Sequence, residues 1–123
     1  MTIGDCIAAV DGLKYNTFTR EQKLRWLSSL EARIHTEILT THAGGPTEPF
    51  LPFTPDTPMD TRLTADAPYD RMYLHQLEAE MDYHSGEIEK YNNSSLMRNT
   101  VFDAYRRHYN RTHLPKTAAW KFP

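Results

Sequence analysis

Apolar side chains recur at helical spacing in four separate stretches of the chain. Ile3, Ile7, Val10 and Leu13 fall on one face, which predicts a helix over 3–13. Thr2 precedes it with Asp5 three residues on, an acidic form of the capping box. Gly12 and the pair Tyr15-Asn16 weaken its end. Leu27, Leu30, Ile34 and Ile38 mark a second helical face, with Leu24 and Trp26 beside it. Thr19 and Gln22 supply its capping box, and Gly44-Gly45-Pro46 is expected to stop it. A third helix is expected to begin near Asp66-Ala67-Pro68, with proline in the first turn, and to carry Tyr73, Leu77, Met81, His84, Ile88 and Tyr91 on one side. Asn92-Asn93-Ser94-Ser95 reads as a break that caps the next helix. The fourth helix has the clearest period: Leu96, Met97, Thr100, Val101, Ala104, Tyr105, His108 and Tyr109. After Asn110 the tail reads as non-helical. The short connection between the third and fourth helices predicts antiparallel packing.

Between the second and third helices lies a stretch, 43–67, of a different kind. Pro46, Pro49, Pro52, Pro55 and Pro58 recur every three residues, which prevents both helix and central strand. Phe50, Leu51, Phe53, Met59 and Leu63 make it too apolar for a solvated linker. The expectation is an ordered, extended arm packed on its own domain or on a neighbour, with room for a short β-hairpin. The fold class that follows is all-α: a small antiparallel bundle of about four helices over 1–114, with this insertion and an extended arm over 115–123.

Length and composition narrow the picture. The chain has 123 residues, the size of one domain, and a domain this long buries roughly 65% of the surface its unfolded chain would expose. Hydrophobic residues make up 39% and charged residues 24%, which excludes a disordered chain. No apolar run approaches the roughly 18 residues a membrane helix needs. The opening residues show no signal-peptide pattern. The lone Cys6 excludes an internal disulfide framework and a multi-cysteine metal site, and a reducing, intracellular compartment is expected. Charge is unevenly distributed. From Arg98 onward there are six basic residues (Arg98, Arg106, Arg107, Arg111, Lys116, Lys121) and one acid, Asp103, whereas the rest of the chain carries eight basic and fifteen acidic groups.

Motifs for chemistry are scarce. There is no Gly-rich phosphate loop, nucleophile elbow or paired-cysteine motif. Glu31/His35 and Glu80/His84 each sit four apart on a helix face, yet the repeated ligand pattern of a metal-binding bundle is missing. Glu78, Asp82 and Glu89 fall within about 40° of one another on the third helix, at 3.6 residues per turn. Such a cluster is either a set of coupled carboxylates or a solvated face. Cys6 lies in a first helical turn, where a thiolate would be stabilised, but free cysteine is more often a small core residue. The basic end, interleaved with Tyr105, Tyr109, Trp120 and Phe122, has the composition of a strand-tracking nucleic-acid surface, opposed by the acidity of the body. These residues predict no enzyme, no cofactor and no metal.

That leaves the tail. Trp120 and Phe122 flank Lys121, an arrangement suited to anchoring on a partner or to folding back over the chain's own core.

Several strings resemble a family of small proteins of tailed phages and prophages of Gram-positive bacteria. They are Ala67-Pro68-Tyr69-Asp70, Tyr73, Leu77-Glu78-Ala79, Asp82-Tyr83, Gly86-Glu87, Tyr91-Asn92-Asn93-Ser94, and Tyr109-Asn110-Arg111-Thr112-His113-Leu114-Pro115-Lys116. Lys14-Tyr15-Asn16, Lys23-Leu24-Arg25-Trp26-Leu27 and His42-Ala43-Gly44-Gly45 are similar too. These proteins resemble head–tail connectors (adaptors). The resemblance implies a helical subunit in a ring, typically of twelve copies, that binds the portal and a stopper or tail-completion protein in the virion after assembly in the host cytoplasm. DNA would pass through without specific binding, and no membrane would be involved. It implies that Lys116, Trp120, Lys121 and Phe122 belong to a portal-reaching arm, and that the proline-rich span with Phe50 and Phe53 contacts a neighbour. The basic helix with Arg106, Arg107 and Arg111 is expected to meet the next subunit, and Glu78, Asp82 and Glu89 to line the channel. The rival expectation is a small phage nucleic-acid-binding or regulatory protein.

Overall fold

The computed structural model describes residues 1–116. Four helices form the body: α1 (Ile3–Leu13), α2 (Arg20–Glu37), α3 (Arg71–His84) and α4 (Ile88–Thr112), with a 3-10 turn at Leu39–Thr41. Both expected capping boxes are present, Thr2 with Asp5 and Thr19 with Gln22. Each satisfies two orphan donors at a helix start, worth about 1 kcal/mol per cap. The predicted bounds of α1 are those observed.

One hydrophobic core joins all four helices. It includes Ile3, Cys6 and Val10 from α1, Leu24, Leu27, Leu30 and Ile34 from α2, Tyr73, Leu77 and Met81 from α3, and Val101, Phe102 and Tyr105 from α4. Side-chain bonds stitch the helices together. Buried Gln76 donates to the Trp26 carbonyl at 2.9 Å and accepts from Arg98 at 2.9 Å, linking α2, α3 and α4. Antiparallel packing of α3 and α4 is visible in the register, since Ser94 bonds Asp82, Arg98 bonds Gln76 and the Tyr105 ring meets Tyr69 at 5.6 Å.

The helix boundaries differ from expectation in four places. α2 ends at Glu37 and not at Gly44-Gly45, because the chain tightens into the 3-10 turn first. α3 starts at Arg71 and not near Asp66; the Ala67–Pro68 bond is cis, and a turn closed by the Tyr69 N–H on the Asp66 carbonyl precedes the helix. The break between α3 and α4 is at Ser85-Gly86, not at Asn92–Ser95. Gly86 has φ +75, Gly86 N–H bonds the Tyr83 carbonyl and Glu87 N–H bonds the Asp82 carbonyl at 2.9 Å, which is the Schellman ending that favours glycine. Asn92 to Ser95 lie inside α4 because packing on α3 outweighs their weak helix preference, and Ser94 gains a bond to Asp82 at 3.1 Å. α4 also continues two residues past Asn110.

No hairpin forms in the proline-rich span. Its later half lies extended along the start of α1: Gly4 N–H donates to the Met59 carbonyl at 2.8 Å, Ile3 N–H to Thr61 at 3.0 Å and Leu63 N–H to Met1 at 3.0 Å. A Cβ at Gly4 would stand 3.2 Å from the Met59 carbonyl oxygen, so glycine permits this close approach. No helix among the described residues is long and apolar enough to cross a membrane.

Candidate interaction surfaces

The expected channel trio does not assemble. Asp82 is 2% exposed, holds the Lys14 ammonium and accepts from Ser94. It joins α1 to the α3/α4 pair and is a structural ion pair. Glu78 is half-buried with His75 Nδ1 at 3.3 Å. Glu89 is exposed in the first turn of α4. The angular count that grouped them assumed one unbroken helix, and Gly86 ends that helix between Asp82 and Glu89.

The basic positions divide. Arg106 pairs with Asp103 at 2.5 Å and lies over the Phe102 ring at 6.0 Å. Arg98 is bonded to Gln76. Arg107 and Arg111 are exposed. Lys116 is the last described residue, and Trp120, Lys121 and Phe122 lie outside the described residues. Phe50 and Phe53 are half-buried against their own subunit, with ring centroids 6.0 Å apart and His35 6.0 Å from Phe50.

The other chemical candidates resolve into structure. Burial pushes the Cys6 thiol up to about 12, which removes the thiolate that nucleophilic chemistry needs. Glu31 is buried and accepts from Thr64 N–H at 3.1 Å, Thr64 Oγ1 at 2.8 Å and the Tyr73 hydroxyl. Its expected partner His35 faces Phe50 instead. Glu80 and His84 stand 3.6 Å apart, and the His84 ring stacks on Trp26. No group of three or more metal-ligating side chains occurs among the described residues.

Two surfaces were only partly legible beforehand. On α4, Leu96 (65% exposed), Met97 and Ile88 stand out in solvent, although Leu96 and Met97 carried the expected core period. Leu96 and Met97 border a shallow apolar groove with Arg71, His75, Thr100 and Val101. Phe102 is the most deeply buried aromatic of this helix, under the Arg33 guanidinium at 4.3 Å. The second surface is an aromatic hollow of about 370 Å³ lined by Tyr69, Tyr105, His108, Tyr109 and His113 among others. Tyr109 and His113 stack there at 3.7 Å. Their four-residue spacing is the sequence signal for this pair, and the expected helix end at Asn110 hides it by putting His113 in the tail. Burial, with Tyr109 nearby, raises the Tyr105 phenol to about 12.

Buried His42 ties the end of α4 to the body, with Nδ1 2.6 Å from the Ile38 carbonyl and Nε2 2.8 Å from the Asn110 side-chain amide. No family model matches the chain, and no curated protein or solved structure does either.

Proposed function

We propose that this protein is a structural component of a tailed-phage or prophage virion: a head–tail connector that forms a ring, binds the portal and a stopper or tail-completion protein, and catalyses no reaction. The observation that carries the reading is the one-sided packing of α4. Its inner face supplies Val101, Phe102 and Tyr105 to the core, while Ile88, Leu96 and Met97 stay exposed on the same helix. Exposed apolar side chains grouped on one element suit a surface that another chain covers. A ring contact is heterologous, one face against a different one, and exposed Arg107 and Arg111 offer charge to an acidic neighbour. The family resemblance, carried by strings between Lys14 and Lys116, supports the same reading. Asp82 is buried and committed to Lys14 within the subunit, which removes it from a channel lining.

The rival nucleic-acid reading is weakened because Arg98 and Arg106 are engaged within the subunit. The test is truncation after Lys116, which keeps the backbone pairing of 114–116 with 41–43. The truncated protein should retain its helical circular dichroism and lose co-purification with the portal protein of its own genome. Portal binding equal to that of the full chain would overturn the arm assignment. Electron microscopy of protein bound to portal should show rings, and retardation of duplex DNA that weakens steeply with salt would favour the rival.

A further inference from the structure

The aromatic hollow at the end of α4 draws its rings from separate parts of the chain. Tyr105, His108 and Tyr109 share one face of α4, being three and four residues apart, His113 caps the helix, and Tyr69 belongs to the turn before α3. Tyr105 is the middle ring. It lies 5.6 Å from Tyr69 at 56° and 6.0 Å from Tyr109 at 54°. Tyr69 in turn stacks on His108 at 5.1 Å, and Tyr109 on His113 at 3.7 Å. Those tilts bend the row of rings around one space. Tyr105 is 7% exposed, and its hydroxyl makes no hydrogen bond among the described residues. The fixed charge around the hollow is negative. Asp66 lines it and is 79% exposed, and the contact of Asp66 with Arg62 at 3.9 Å joins two exposed side chains, a pairing that solvent leaves weak. Behind Thr64, another lining residue, buried Glu31 accepts two hydrogen bonds from it. Burial first, then Tyr109, Glu31 and Asp66, raises the Tyr105 phenol, so both carboxylates act on the middle ring. Among the described residues no lysine or arginine lines the hollow.

We propose that this hollow binds the guanidinium of an arginine side chain on a partner protein. A guanidinium is planar, lies against an aromatic face and still offers its edge N–H groups to a carboxylate. The tyrosine rings supply the face and Asp66 supplies the carboxylate. An ammonium is more strongly hydrated and loses more on leaving water. A nucleobase has the shape to stack here, but its phosphates would meet the charges of Asp66 and Glu31. Free arginine brings its own carboxylate into the same negative field, so an arginine within a chain is the better match. The volume of about 370 Å³ is at the low end of the roughly 300–1,000 Å³ of clefts that hold organic ligands, which suits one inserted side chain. The His108 and His113 rings oppose a bound cation only when they are protonated. The inference does not rest on the connector reading.

The test is a nuclear magnetic resonance titration of the full chain at pH 8 with N-acetyl-arginine N-methylamide. Weak but saturable shifts are expected at the ring signals of Tyr69, Tyr105 and Tyr109. The equivalent capped lysine should bind severalfold more weakly. Capped citrulline, which keeps the shape and lacks the charge, should not bind. Asp66→Asn changes an exposed position and should weaken the arginine probe severalfold with far-UV circular dichroism unchanged. Tyr109→Leu should weaken it as well, and Asp66→Asn covers the case in which that variant disturbs the end of α4. The absence of saturable ring shifts would overturn the proposal. So would citrulline binding as well as arginine, or arginine binding that neither substitution changes. Ring shifts that grow with protein concentration alone, and are lost in Arg107→Ala or Arg111→Ala, would overturn the partner assignment by putting a second copy's arginine in the hollow.

Discussion

The two halves of the proline-rich span both carry apolar side chains and differ in how they are held. In the earlier half, proline at every third position removes backbone donors. Its hydrogen bonds to α2 are the Phe53 N–H on Ser28 Oγ at 2.6 Å and a long Arg20 contact to the Pro55 carbonyl at 3.5 Å, and Leu51 stays 81% exposed. In the later half, past Pro58, donors return and are used. Its backbone pairs with the start of α1, Thr64 bonds Glu31, and Ala65 N–H donates to the Tyr73 hydroxyl at 2.9 Å. Leu63 and Ala65 are fully covered. Apolar content alone does not decide which part of a loop belongs to the core. A segment is drawn in where its backbone can be satisfied on the way.

Breaking the better-held half should cost most. Glu31→Ala strands three donors in the interior and is expected to lower stability by about 3 kcal/mol, read as a shift in urea midpoint at unchanged slope. If Glu31→Ala and the wild type unfold together, the later half is not anchored through this carboxylate. Gly86→Ala probes the helix boundary: a Cβ there meets open space but φ is +75, so the loss is conformational, about 1 kcal/mol. No loss would mean that the left-handed turn is not required.

Acid provides a smaller effect. Burial raises the Asp11 carboxyl, but hydrogen bonds from Asn16 and Lys23 outweigh it and hold the group below its ordinary value. Asp5 is likewise lowered, chiefly by its bonds with Thr2. Depressed folded-state values mean that both contribute stability above the ordinary carboxylate range, near pH 4. That contribution is lost as pH falls from there through the folded values. Asp11→Asn should therefore flatten part of the acid limb of a stability–pH curve, and an unchanged limb would count against the Lys23 pairing. At the other extreme, Leu51→Ser in the loosely held half should stay within about 0.5 kcal/mol of wild type, measured by thermal melting. A large loss would mean that the earlier half is packed more tightly than its exposure indicates.

The residues of the candidate surfaces were legible to different depths. Phe50 and Phe53 stood out as too apolar for a linker, and both rest on their own subunit. The Glu78, Asp82 and Glu89 grouping failed because periodicity carries information only along one continuous helix, and Gly86 interrupts it. Buried Glu31 and His42 gave little warning, and Tyr73 fell on the expected face without any sign of its hydroxyl partner, because the partners are far away in sequence: Thr64 for Glu31, Asn110 for His42 and Glu31 for Tyr73. The α4 pattern was read with the right period and a shifted face. Phe102 took the core position, and Leu96 and Met97 were left outside.

The sequence by itself determined the elements whose causes are local. Thr2, Thr19 and their partners three residues on set two helix starts, and the apolar period of α1 and α2 set which face turns inward, because caps and amphipathicity act over one or two turns. Tertiary structure decided where α3 gives way to α4, which half of the proline-rich span is pinned, and that Lys116 is held beside Thr41. Each of these depends on a hydrogen bond or burial between residues distant along the chain, and such contacts exist only once the helices have packed.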